Sequence, residues 1–270
     1  MRVTAKPKGV LPGFKFANSL LAHLAVAHYL DNLTFGFLER HLGAAKGAVI
    51  QALQRMTELL GPLHPLIIEE IREAAVLFAD ETGHRSDGAN GYVWAAFTDF
   101  GEAFLVRKSR AGAVALEMFG DERLFGVMLT DRYGGYNKRA RDLRDENMEI
   151  CHRNARNRGI QKMQNLFREK SANLFNWVEN RAVPADNNRA ERGLRPIVIA
   201  RKISFGTQSD LGMKTMEVLL TVLRTLQLRT GNAEAALKRI LDELARNPQA
   251  DVRALLPPAK SASAEAQAAA

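Results

Sequence analysis

The chain has 270 residues, 46% of them hydrophobic and 25% charged, an ordinary globular composition that excludes global disorder. Its 38 Lys and Arg against 30 Asp and Glu leave a formal charge of +8, which favours a polyanionic partner, either nucleic acid or a membrane surface. One cysteine, Cys151, rules out an intramolecular disulfide framework and fits a reducing compartment. No apolar run reaches the ~18 residues of a transmembrane helix, and no apolar stretch of a secretory signal is visible at the start, so a cytoplasmic protein is expected.

Residues 17–31, 33–42 and 44–59 carry apolar side chains at helical spacing and predict helices, with a short break at Gly43. A helix, a tight turn and a helix with a Gln–Arg face fit a helix-turn-helix, although three short helices with small turns are more often simply a small bundle, and the spacing leaves both open. A fourth helix is predicted over 62–74. The pattern then changes. Residues 75–80 form a short apolar run ending on Asp80. Residues 91–99 and 102–108 are aromatic and β-branched on either side of Phe100 and Gly101, which predicts a hairpin. Residues 110–120 predict a helix stopped by Gly120, and 125–131 a second apolar run ending on Asp131 before a turn-rich RYGGYN. Strand, hairpin, helix and strand in that order predict an α/β layer with a mixed sheet.

Residues 138–180 read as polar helix, and 182–190 as a loop entering a helix. Residues 213–230 are strongly helical up to Gly231, a natural helix stop, and 233–246 form one more amphipathic helix. The tail from Leu256 is low-complexity. The expected organisation is a helical region over 1–74, an α/β domain over 75–246 and a flexible tail over 247–270.

The charge is concentrated. Residues 132–202 hold 17 Lys and Arg against 8 Asp and Glu, so the rest of the chain is close to neutral. Lys138, Arg139, Arg141 and Arg144 form one burst, with Asp142, Asp145, Glu146 and Glu149 as candidate helical partners. Arg153, Arg156 and Arg158 form a second. The third burst, Arg189, Arg192, Arg195, Arg201 and Lys202, has few acidic neighbours, and the planar guanidinium suits phosphate.

Asp80 and Asp131 each close an apolar run, and ligands of open α/β sheets bind beyond the carboxyl ends of strands. Two such carboxylates on neighbouring parallel strands would repel unless a cation sat between them, and Mg²⁺ is the natural hard cation. Either Asp could equally start a turn. Glu191 has three readings: capping-box partner of Asn188, ion-pair partner of the surrounding arginines, or third metal ligand. Glu81 should point to the opposite face from Asp80 if the strand continues, which makes it the weaker ligand. His84 follows the first acid closely enough to reach such a site. Cys151 and His152 are adjacent rather than spaced, which argues against zinc. No phosphate-binding glycine pattern appears.

The strings ADETGHR (79–85), YVWAAFTD (92–99), VRKSRAGAVALEMFG (106–120), LTDRYGGYNK (129–138) and, above all, DNNRAERGLRPIVIARKISFGTQSDLG (186–212) resemble the bacterial insertion-sequence transposase family numbered sixty-six. The similarity covers about residues 12–245. The resemblance implies a transposase with a ribonuclease-H-like mixed sheet and flanking helices. Matched by position, it implies Asp80, Asp131 and Glu191 as the catalytic acids and as ligands of two Mg²⁺ or Mn²⁺ ions. Arg189, Arg192, Arg195, Arg201 and Lys202 become candidate contacts to the DNA backbone. The implied partners are double-stranded DNA, at the element's ends and at the target, together with further copies of the chain and accessory proteins of the same element; no membrane partner is implied, and the implied location is the bacterial nucleoid.

The chain departs from the family pattern at one point. After the second acid the family carries a strand with a Cys-x-x-His string and then a long helical insertion. Here 59 residues separate Asp131 from Glu191, and the string is absent. A fifth core strand is therefore expected to be missing. Three readings follow: a metal-dependent transposase, a DNA-binding remnant without catalysis, or a related metal-dependent nuclease.

Overall fold

A computed structural model describes residues 9–121, 124–130, 158, 161–162, 165, 183–184, 186–204 and 206–259. Asp131, the two earlier basic bursts apart from Arg158, the Cys151–His152 pair, nearly all of the polar stretch 138–180 and the tail 260–270 lie outside the described residues.

Four helices precede the sheet: α1 (Asn18–Tyr29), α2 (Phe35–Leu42), α3 (Lys46–Leu60) and α4 (Leu63–Arg72). Thr34 caps α2, its hydroxyl accepting the Phe37 N–H at 3.1 Å. The strands are β1 (Val76–Ser86), β2 (Ala89–Phe97), β3 (Glu102–Arg107) and, after α5 (Gly112–Phe119), β4 (Val127–Thr130). Then come α6 (Asn188–Ser204), α7 (Asp210–Thr230), α8 (Ala233–Arg246) and a closing 3₁₀ turn at Val252–Leu255.

The sheet runs β3-β2-β1-β4. β1 is antiparallel to β2 and parallel to β4, and β2 is antiparallel to β3. This four-stranded mixed sheet with flanking helices is consistent with the ribonuclease-H-like core, the expected hairpin holds, and β4, the strand that precedes Asp131, pairs parallel to β1.

β1 corrects the sequence reading. The apolar run was expected to end on Asp80, yet the strand continues through Ser86 and pairs with β2 along that length. The turn reading of Asp80-Glu-Thr-Gly is therefore wrong. The actual turn is Asp87-Gly88, with φ of 50° and 72°, the doubly left-handed geometry that an Asp-Gly pair supplies to a tight hairpin.

Side chains alternate across the sheet. Leu77, Ala79, Trp94, Ala96, Ala103 and Leu105 join one core with the N-terminal helices, α5, α7 and α8. Phe78, Val93, Ala95, Phe97, Phe104 and Val106 join a second with Ala190, Leu194 and Ile197 of α6 and Met216 and Leu220 of α7. The first core is continuous from Leu11 to Val252, so the N-terminal helices and the sheet share buried apolar surface.

α7 closes the free edge of β3. The N–H groups of Glu102, Phe104 and Val106 donate to Thr225 Oγ1 (3.2 Å), Thr221 Oγ1 (3.0 Å) and Glu217 Oε2 (3.1 Å). Four helical residues rise about 6 Å and two strand residues about 6.6 Å, so one helix stripe can serve every outward amide of a short strand. Glu217 is buried, but Arg107 (2.5 Å) and Lys214 (2.8 Å) hold it ionised. Burial pushes its carboxyl up, and the Lys214 hydrogen bond with the charges of His64 and Arg107 outweighs this, so the net shift is downward.

Candidate functional site

β1 and the segment around α6 form the face that carries the proposed acids. Asp80 follows Phe78 on the face that packs against α6, and it is half-buried. Its Oδ1 accepts the Glu81 N–H at 2.8 Å. Glu81 points the other way, as the alternation requires, and is held by Arg110 through Nη2 and Nε.

β4 leads into the second acid. Phe78 pairs with Leu129 and Ala79 with Thr130, so the last described residue before Asp131 lies opposite the residue before Asp80. Leu129 packs on the same core as Phe78. Asp131 itself lies outside the described residues.

Glu191 lies in the first turn of α6 and is exposed. The capping-box reading is overturned. Asn188 is already the first helical residue, and its N–H donates to Asp186 Oδ1 at 3.0 Å. Among the described residues the Glu191 carboxylate has no hydrogen-bond or ion-pair partner, so the ion-pair reading gains no support either. Asn187 docks this helix end onto β1: its Nδ2 donates to Ala79 O at 3.1 Å, and its own carbonyl accepts the Glu191 N–H at 3.2 Å.

The string 186–212 separates into inward and outward residues. Arg189 donates to Thr98 O, and its guanidinium lies 3.7 Å from Asp99 and 5.9 Å from the Phe78 ring centroid. Arg201 donates to Gly83 O. Ala190, Leu194 and Ile197 are buried. Gly193 is required by close approach, since a Cβ there would collide with the Phe97 ring. Gly206, at φ +102°, lies against Arg85 O, where no side chain fits. Beside it Thr207 donates its N–H to Arg85 O and accepts from Asp87 N–H, both at 2.9 Å.

Glu191, Arg192, Arg195, Ile199, Lys202 and Ile203 remain outside. They fall within about a third of the helix circumference, so they form one exposed face. Among the described residues Arg192, Arg195 and Lys202 form no ion pair.

His84 lies four residues along β1 from Asp80, on the same face, and is bonded to Thr207 Oγ1 at 3.3 Å. It belongs to the clamp at the far end of β1. Burial, and then the positive charge of Arg201, lower its pKa to about 4, so it is neutral near pH 7.

The buried side-chain polar atoms that lack a partner among the described residues are Glu81 Oε2, His84 Nδ1, Asn187 Oδ1 and Arg189 Nε. All belong to β1 or to the start of α6. Native structures leave few such atoms, and they mark places where something other than packing set the residue. Sequence reading missed Asn187, although the paired Asn188 beside it was already in view.

Asp80 on β1 and Glu191 on α6 carry oxygen atoms of the kind a hard cation takes. Among the described residues no group of three His, Cys, Asp or Glu side chains stands ready to hold a metal. No helix among them is long and apolar enough to cross a membrane. A family model described as Transposase IS66 family matches residues 13–152 and 139–215, two overlapping stretches that together run into α7. No curated protein and no solved structure matches.

Proposed function

The chain belongs to the IS66 family of transposases, and from that premise we propose that it cuts DNA at the ends of an insertion sequence and joins them to a target, with Asp80, Asp131 and Glu191 as ligands of divalent metal. The observation that carries this reading is the docking of α6 by Asn187 beside Asp80, which brings the turn bearing Glu191 to the strand of the first acid. The register of β4 supports Asp131 as the second acid, because continuing the pairing one step would set it opposite Asp80.

The chain's own residues divide the work. Glu81 N–H fixes one Asp80 oxygen, and the hydrogen bonds of Arg189 and Arg201 hold α6 against the sheet. Arg192, Arg195 and Lys202 face outward and neutralise phosphates of bound double-stranded DNA, orienting the scissile strand over the acids. What a pair of Mg²⁺ or Mn²⁺ ions supplies there, when bound, is activation of a water or a DNA 3′-hydroxyl and stabilisation of the leaving oxygen.

The test is cleavage and strand transfer on DNA carrying the element's terminal inverted repeats, with Mg²⁺ or Mn²⁺. Both activities should appear in the wild type and vanish in Asp80→Asn, Asp131→Asn and Glu191→Gln. Cleavage that survives any of these substitutions sinks the assignment. A second reading, a DNA-binding chain without catalysis, is favoured by the short interval of 59 residues between Asp131 and Glu191; it predicts a DNA shift and no cleavage with either ion. Cleavage without strand transfer would identify a metal-dependent nuclease.

A further inference from the structure

We propose that the cavity between the N-terminal helices and the α6–α7 connection holds one unpaired nucleotide of the bound DNA, with its base among His28, Tyr29, Phe35 and Gln54 and its phosphate near Lys46. The inference rests on the DNA-binding reading above and adds a place for a base, which that reading lacks.

The cavity has a volume of about 460 Å³, within the ~300–1,000 Å³ of clefts that hold small ligands. Its walls come from the end of α1, the α1–α2 turn, α2, α3, the last turns of α6 and the start of α7. Leu53, Met216 and Leu220 line it as buried residues, and Thr34, Ser204 and Gln208 as exposed ones, so it opens to solvent.

Its lining has the chemistry of a base site. His28 stacks on Phe35 with ring centroids 3.8 Å apart and meets Tyr29 edge-on at 4.7 Å, which makes an aromatic wall. His28 Nδ1 donates to Leu33 O at 2.8 Å, leaving Nε2 as an acceptor; burial lowers its pKa, so the ring is neutral near pH 7. Stacking on aromatic rings is available to every base. The Asn32 and Gln54 amides have no hydrogen-bond partner among the described residues, and each can both donate and accept, as the edge of an unpaired base requires. No Asp or Glu lines the cavity, whereas Lys46 and Arg201 do, which suits an anionic ligand.

The cavity also adjoins the proposed DNA face, because Ile203 belongs to both. Ile199 and Ile203 are 50% and 43% exposed beside Arg195 and Lys202, and phosphate contact gives them no role. Apolar side chains at a DNA surface fill the space between unstacked base steps. Along α6, Glu191 and Ile203 are about 18 Å apart, roughly five steps of one strand, so one DNA molecule can reach both.

The experiment measures binding of the full chain, without divalent metal, to a mixed-sequence duplex carrying one bulged 2-aminopurine nucleotide. The same duplex with an abasic nucleotide at the bulge, and free 2-aminopurine nucleoside monophosphate, are the comparisons. Affinities are read by anisotropy of end-labelled duplex and by 2-aminopurine emission. The wild type should prefer the base-bearing duplex over the abasic one by about 5-fold or more, in the range for one stacked base. Gln54→Leu and Phe35→Leu should bring that ratio towards one, with thermal melts recorded on both. Gln54 is half-exposed on a helix, so its variant decides the matter where Phe35→Leu does not fold. Equal affinity of the wild type for the two duplexes overturns the proposal, and so does a ratio that survives in folded variants. Free nucleotide binding as tightly as the bulged duplex also overturns it, since the cavity would then serve a small molecule. If neither duplex binds at all, the DNA-binding reading fails and this inference fails with it.

Discussion

The outer side of β3 and the part of β1 that extends past β4 both lack a neighbouring strand among the described residues, and they are finished in opposite ways. The β3 edge presents amides, and α7 meets them with acceptors from one stripe, Glu217, Thr221 and Thr225. The β1 edge from Ala79 onward presents the carbonyls of Ala79, Gly83 and Arg85. They are met by donors from three different places: the Asn187 side chain, the Arg201 guanidinium and the Thr207 amide. The first edge is buried, and its acceptors are matched. The second is half-exposed, bears Asp80, and gathers the unpartnered buried polar atoms. The β3 edge has its outward amides satisfied, whereas the β1 edge has buried polar atoms around it that lack a partner among the described residues.

The sharpest way to break this contrast is Glu217→Ala. It leaves the buried Val106 amide unpaired and takes a carboxylate from Lys214 and from Arg107, which keeps Glu117, and should cost about 3 kcal/mol in denaturant unfolding, moderated because both cations reach solvent. A loss below ~1 kcal/mol would mean that the β3 edge is not held as described. Gly193→Ala comes next, with about 1–3 kcal/mol expected from overpacking against Phe97. Its melting temperature should fall, and a neutral result would show that α6 stands further from β2. Thr221→Val removes one acceptor and leaves the buried Phe104 amide unpaired, for about 1–2 kcal/mol by the same measurement.

Acid should weaken the β1 clamp. The folded pKa of His84, about 4, lies below the ordinary value of 6.5, so the unfolded chain takes up a proton that the folded chain resists. Its contribution is complete above pH 6.5 and is lost as pH falls towards about 4, with a slope of up to about 1.4 kcal/mol per pH unit. His28 and His64, also pushed down by burial, act in the same direction. His84→Gln should therefore reduce the slope of stability against pH without abolishing it; an unchanged slope would count against a buried neutral imidazole. The smallest structural effect is expected at Arg195→Ala, within about 0.5 kcal/mol in stability. There the change should appear in DNA binding, as a salt slope lower by about 1.

Much of this arrangement was legible. The β2–β3 hairpin, α5 and its stop at Gly120 all follow from apolar runs and turn residues. Glu81 facing away from Asp80 follows from the two-residue period of a strand. The second half of β1 was hidden because Gly83, His84 and Arg85 have poor strand character, and their pairing is imposed by β2 and the Asp87-Gly88 turn. The string around Glu191 looked like one functional unit. Most of its members prove to be docking residues, and only one face of α6 is left outward.

The sequence by itself determined where charge and apolar periodicity fall, and therefore the order of the elements, the alternation that separates Asp80 from Glu81, and the family. Those are local properties, set by neighbours along the chain. Only the tertiary structure decided which polar groups meet. Asn187 and Ala79 are 108 residues apart, and Thr221 and Phe104 are 117 apart. No local period encodes such pairs: they exist because a sheet edge must satisfy its backbone, and the groups that satisfy it come from whichever helix packs alongside.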